Sequence, residues 1–99
     1  MVQINWTLQA VSDLEDIANY IAKDSKKYAK LQIIRIKSRT KILATQAYAG
    51  KIVPEINQTD IRELVEGNYR IIYKIIDLNN IVILTIHHSS RDLGLRVII

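Results

Sequence analysis

The chain has no cysteine and no phenylalanine, and only one proline and three glycines in 99 residues. Without cysteine there are no disulfides, no thiolate nucleophile and no sulfur ligands for zinc, so hydrophobic packing must carry stability. No apolar run approaches the roughly 20 residues needed to cross a bilayer. The N-terminal stretch lacks the basic residues and long apolar core of a secretory signal, so the expectation is a cytoplasmic protein without membrane contact. Apolar content of 48% against 24% charge argues against disorder. The length suits one domain, residues 1–99, and leaves no room for a second core.

Positive charge is also missing where the chain starts. Residues 1–22 hold no lysine or arginine, only Asp13, Glu15 and Asp16. Residues 23–51 then carry Lys23, Lys26, Lys27, Lys30, Arg35, Lys37, Arg39, Lys41 and Lys51 against Asp24, within a net charge of +4. A local field of this kind favours nucleic acid or an acidic protein partner; the structural alternative is a solvated helix face.

What is present is clear periodicity. Val2 to Trp6 alternates apolar and polar residues, as a short strand does. Thr7 is a candidate N-cap, after which Leu8, Val11, Leu14, Ile17, Ala18 and Ile21 recur at helical spacing. Asp24-Ser25 breaks that pattern, and Ser25 caps a second helix whose buried stripe is Ala29, Ile33, Ile36, Thr40 and Leu43. Lys26, Lys30, Lys37 and Lys41 fall beside the stripe, while Leu31, Ile34 and Ile42 lie off it. Gly50 to Asp60 reads as a loop. Beyond it the period becomes two, with strands at Ile61–Glu66, Tyr69–Asp77 and Ile81–His88, joined by Gly67-Asn68 and Leu78-Asn79-Asn80. The expected fold is α+β: an N-terminal strand, an antiparallel helical hairpin, then an antiparallel three-stranded meander with the helices packed on one sheet face.

A two-residue loop at Gly67-Asn68 sets Val65 opposite Arg70 and Arg62 opposite Tyr73. Leu64, Tyr69, Ile71, Tyr73 and Ile75 then face the helices. Ile61, Glu63, Val65, Arg70, Ile72, Lys74 and Ile76 share the other face, joined by Ile81, Ile83, Thr85 and His87, with His87 across from Arg70. Isoleucines mixed with cations on an open face, plus Leu93, Leu95, Val97, Ile98 and Ile99 at the end, point to a partner surface; the competing reading is that the tail forms an edge strand and neighbours shield Ile72 or Ile76.

Several segments resemble the RelE/ParE superfamily of type II toxin–antitoxin toxins, which includes plasmid stabilisation proteins. They are Trp6 opening a helix with Ala10-Val11-Ser12-Asp13-Leu14-Glu15-Asp16-Ile17 and Tyr20-Ile21; Gly50 to Pro54-Glu55; Ile61-Arg62-Glu63-Leu64; Gly67-Asn68-Tyr69-Arg70-Ile71-Ile72-Tyr73; and His87 to Arg91. The resemblance covers nearly the whole chain. It implies the same α+β fold and a cognate antitoxin that wraps the toxin in a hetero-oligomer. It further implies one of two targets, DNA gyrase for ParE-like members or the ribosome with its mRNA for RelE-like endoribonucleases.

For RNA cleavage, the 2′-hydroxyl must lose a proton, the phosphorane needs cations and the leaving oxygen needs an acid. The resemblance makes Arg70 and Arg91 the phosphate-binding arginines, and the near-neutral titration of imidazole makes His87 or His88 the candidate proton carrier. Arg62, Glu63, His88, Lys30, Lys37 and Lys41 complete the candidate binding residues. The departures favour the ParE branch. Ile61 and Glu63 stand where the best-known nucleases carry two lysines, and Val97 lies near the position of a tyrosine.

Structural roles compete throughout. Arg70 can bridge Glu63 or Glu66, and Arg62 can pair with Asp13 or Asp16. His87 and His88 can be packed or solvated, and Tyr69 and Tyr73 can be core residues with hydroxyls at the rim. No cofactor or metal is expected, because adjacent histidines on a strand point to opposite faces. A non-toxic binding module of the same fold is the remaining alternative.

Overall fold

The computed structural model describes residues 2–89. Strand β1 (Gln3–Trp6) leads into helix α1 (Leu8–Ala22), where the Thr7 hydroxyl accepts the Ala10 N–H at 3.0 Å. Ser25 caps α2 (Lys26–Thr40) in the same way, accepting from Tyr28 at 3.1 Å. A 3₁₀ turn, Lys41–Ala44, ends the hairpin. Then come β2 (Lys51–Ile52), β3 (Ile61–Glu66), β4 (Tyr69–Asp77) and β5 (Asn80–His88).

The strands form one five-stranded sheet in the order β1-β5-β4-β3-β2. The expected meander is its centre, and two additions flank it. β1 runs parallel to β5, because the intervening helices and strands supply the long crossover that parallel pairing needs. The segment expected to be all loop contributes β2, whose two residues pair with Glu63 and Arg62 and are too few to show a period in sequence.

Helix α2 buries Ala29, Ile36 and Thr40, followed by Leu43, and Ile33 packs against them. Ile42, expected off the stripe, also meets the core, since a 3₁₀ turn advances each residue about 120° rather than 100°. Leu31 is half-buried, and Ile34 stays 50% exposed. Helix α1 departs from expectation: Leu8 is 89% exposed and Val11 lies on the surface, while Ala10, Asp13 and Leu14 are buried. The stripe is rotated because Thr7 and Asp13 bond to β5.

The β3–β4 register matches the expectation, with Val65 opposite Arg70 and Arg62 opposite Tyr73. Gly67 takes φ 59° at the first central position of the turn, the site where a II′ hairpin favours glycine. Between β4 and β5 two irregularities offset one another. Asp77 pairs with Asn80, then Ile76 is extra on β4, so Ile75 faces Ile81 and Tyr73 faces Ile83. Leu84 is extra on β5, which restores Ile72 opposite Thr85 and Arg70 opposite His87. Ile81 and Ile83, expected on the outer face, therefore join the core beneath the helices with Leu64, Ile71, Tyr73 and Ile75. A bulge re-aims every side chain until the next one cancels it.

The outer face is not open as expected. Val53, Ile61 and Ile72 form a second buried cluster, with Ile56 and Leu84 against it. The chain's own segment 53–56 thus does there what a partner was expected to do. Val65 and Ile76, at opposite ends of that face, remain about half exposed (49% and 52%).

Candidate functional site

Arg70 stands on β4 beneath the segment that covers the outer face. Its Nε donates to Glu63 Oε2 at 2.9 Å, and Nη2 reaches the same oxygen. Nη1 and Nη2 donate to the two oxygens of Glu55 at 2.7 and 2.8 Å, a bidentate pair. Lys51 lies 3.5 Å from the other Glu63 oxygen. Donation to the Glu55 carboxylate leads in raising the Arg70 pKa, with Glu63 adding to it against the effect of burial. Only 11% of the Arg70 side chain and 3% of the Glu63 side chain are exposed. Of the two carboxylates expected for Arg70, Glu63 is a partner; Glu66 gives way to Glu55, which the register could not foresee because it lies on an irregular segment.

Arg62 does not reach the acids of α1. Its Nε donates to the Thr59 carbonyl and Nη1 to the Gly50 carbonyl, both at 2.9 Å, and its guanidinium sits 4.8 Å from the Tyr48 ring centroid. Asp13 is instead committed to β5, accepting from Thr85 and from the Ile86 N–H. The Tyr73 hydroxyl, expected at the rim, is buried. It donates to the Ala47 carbonyl at 2.8 Å and accepts the Gly50 N–H at 2.9 Å. Burial pushes its pKa up, opposed by the Gly50 N–H and by Arg62 and Arg39. Gly50 is required here, since a Cβ would stand 2.5 Å from the Glu63 carbonyl and 2.7 Å from the Tyr73 hydroxyl.

His87 is buried and pairs across the ladder with Arg70. His88 is half-buried and meets the Tyr69 ring edge-on at 5.5 Å. Arg91, Leu93, Leu95, Val97, Ile98 and Ile99 lie outside the described residues. Lys30, Lys37 and Lys41 are all exposed, as is Lys26, so the cationic stripe is on the surface. Lys37 and Lys41 border an apolar groove of about 600 Å³ whose walls include Trp6, Val11, Leu14 and Ile33. A second cleft, of about 640 Å³, lies between α1 and the end of the sheet, with Asp16, Asp24, Tyr20 and Tyr28 in its lining. Among the described residues no cluster of His, Cys, Asp and Glu suits a metal ion, and no helix is long and apolar enough to cross a membrane.

Neither Glu55 nor the Asp13–β5 contact was expected; the signals that could have pointed to them are Pro54, which stiffens the chain beside Glu55, and Leu14 of the apolar stripe, next to Asp13.

The chain matches the family described as the ParE toxin of type II toxin-antitoxin system, parDE, over residues 4–93. Among solved structures it is similar to the chromosomal ParDE toxin–antitoxin system from P. aeruginosa. The two are 22% identical, with 91% of this chain and 98% of that chain covered and a TM-score of 0.73. It is also similar to the RelBE2 toxin–antitoxin complex from Mycobacterium tuberculosis, at 22% identity, 88% and 96% coverage and a TM-score of 0.50. At this identity both likenesses concern the fold alone. No curated protein matches the chain.

Proposed function

Because the chain belongs to the ParE toxin family of type II toxin–antitoxin systems, we propose that it acts in the cytoplasm by binding and poisoning DNA gyrase, without breaking bonds itself. A cognate antitoxin holds it silent in a hetero-oligomer. The observation that carries the non-hydrolytic reading is the commitment of Arg70 to Glu55 and Glu63. A nuclease presents cations to the scissile phosphate. Here the strand arginine is neutralised by two carboxylates, and a phosphate brought to it would be repelled by both.

The antitoxin surface in this reading is the apolar groove edged by Lys37 and Lys41. An acidic, amphipathic segment suits an oily floor with cations on one rim.

The second reading, ribosome-dependent mRNA cleavage, draws on the placement of His87 directly across from Arg70. Titrating the purified chain against gyrase and against a translating ribosome separates the two. Gyrase poisoning predicts lost supercoiling with accumulated cleaved DNA and intact messages. Codon-phased cuts with unaffected gyrase would establish the nuclease instead, and harmless expression without a partner would leave only a binding module.

A further inference from the structure

Two arginines are held in place by the fold without an acid to neutralise them. Arg39 reaches from α2 to the Val65 carbonyl of β3, at 3.4 Å. Arg62 is fixed by the Thr59 and Gly50 carbonyls and by the face of Tyr48. Among the described residues neither forms an ion pair, and Glu66, on the same face of β3 as Arg62, bridges neither. Arg70, by contrast, is bound by two carboxylates. A carbonyl orients a guanidinium without cancelling its charge, so Arg39 and Arg62 stay full cations with N–H donors to spare.

The two side chains converge. Both act on the buried Tyr73 hydroxyl, which accepts the N–H of Gly50, the residue whose carbonyl holds Arg62. They border the seam between α2 and β3, on the sheet face opposite Arg70, because successive strand residues alternate. Tyr48, just beyond the 3₁₀ turn, is 62% exposed and lies against the Arg62 guanidinium. Arg35, one helical turn before Arg39, is exposed as well.

Fixed guanidiniums beside an exposed aromatic ring are the parts that hold a single strand of nucleic acid: cations for the phosphodiester and a flat face for an unpaired base. A duplex keeps its base faces inside the stack, and an acidic peptide would leave the ring idle. We propose that Arg39, Arg62 and Tyr48 form a site for single-stranded nucleic acid, with the arginines on its phosphates and a base on Tyr48. The site goes beyond the gyrase reading and does not rest on it.

Fluorescence anisotropy of the full-length chain with labelled oligothymidylate and oligouridylate tests this, with oligoglutamate as the acidic control. Arg62 is left intact, because its bonds hold the chain on both sides of it. Tyr48→Ala should weaken oligonucleotide binding about tenfold, the stacking of one base, and Tyr48→Phe should restore it. Arg39→Gln should weaken binding and lower the slope of log affinity against log salt by about one. Lys26→Gln removes the same charge at the far end of α2 and should cost much less. Binding of either oligonucleotide with this pattern supports the site, and the tighter one identifies the sugar. No oligonucleotide binding, oligoglutamate bound as tightly, or equal losses for Lys26→Gln and Arg39→Gln would overturn the proposal. So would Tyr48→Ala binding like the parent. Gyrase takes no part in the assay, so its outcome bears on this site alone.

Discussion

Asp13 and Thr85, 72 positions apart, are joined by a hydrogen bond inside the protein. The same carboxylate oxygen accepts the Ile86 N–H at 3.0 Å, and Gln9 donates to the other oxygen at 2.9 Å. The Thr7 hydroxyl donates to the Leu84 carbonyl at 2.8 Å. The start of α1 thereby satisfies backbone groups of β5 that lie beyond Ile83, the last residue paired with β1, as buried chain requires.

Asp13→Ala is expected to cost about 2–4 kcal/mol, since it strands a buried N–H and a buried hydroxyl. Asp13→Asn keeps one acceptor and should cost less. Asp16→Asn, on the exposed side of the same helix, should stay within about 0.5 kcal/mol of the parent. Urea denaturation of the three variants measures the ranking.

Tyr73→Phe should cost about 1–3 kcal/mol, because the Gly50 N–H and the Ala47 carbonyl lose their buried partner. The raised Tyr73 pKa has a pH signature. Below its ordinary value near 10 the hydroxyl is neutral in both states, and its contribution to stability is complete. Above that value the unfolded chain loses the proton first, so stability falls until the folded hydroxyl ionises as well. Denaturant midpoints measured from pH 8 upward should therefore fall less steeply in the phenylalanine variant.

Arg70→Ala leaves Glu63 buried with Lys51 as its remaining cation among the described residues and should destabilise by about 3–5 kcal/mol. Replacing both partners, as in Arg70→Met with Glu63→Leu, should recover much of that loss, because two buried charges are removed together. Glu55→Gln, whose partner pairing is more open to water, should cost about 1 kcal/mol or less. Chemical denaturation of the set tests whether the ion cluster acts as a unit.

Reversing the α2 stripe with Lys30→Glu and Lys37→Glu should leave the fold intact, because both side chains are exposed. Association with an acidic partner should slow at low ionic strength, and the difference should shrink toward 1 M salt as screening shortens to about 3 Å. Stopped-flow binding to purified antitoxin measures this. Equal rates at low salt would mean that the stripe takes no part in association.

Much of the architecture was legible because its signals are local. Thr7 and Ser25 cap the helices expected of them, and Gly67-Asn68 closes the expected hairpin in the expected register. Less of the candidate site was legible. Arg70, Glu63 and His87 were brought near one another correctly by register, but Glu55 and Lys51 reach the cluster from irregular chain and a two-residue strand. No period runs through either.

The order of residues alone determined the caps, the helical stripe of α2, the turn at Gly67 and the family. Each rests on spacing or on side chains acting within a few positions of themselves. Tertiary structure decided which way Ile81 and Ile83 point, where Asp13 and Arg62 are spent, and what covers Ile61 and Ile72. Paired bulges, a rotated helix and a folded-over loop are contests between distant groups for the same buried hydrogen bonds and apolar area. They are settled only when those groups meet.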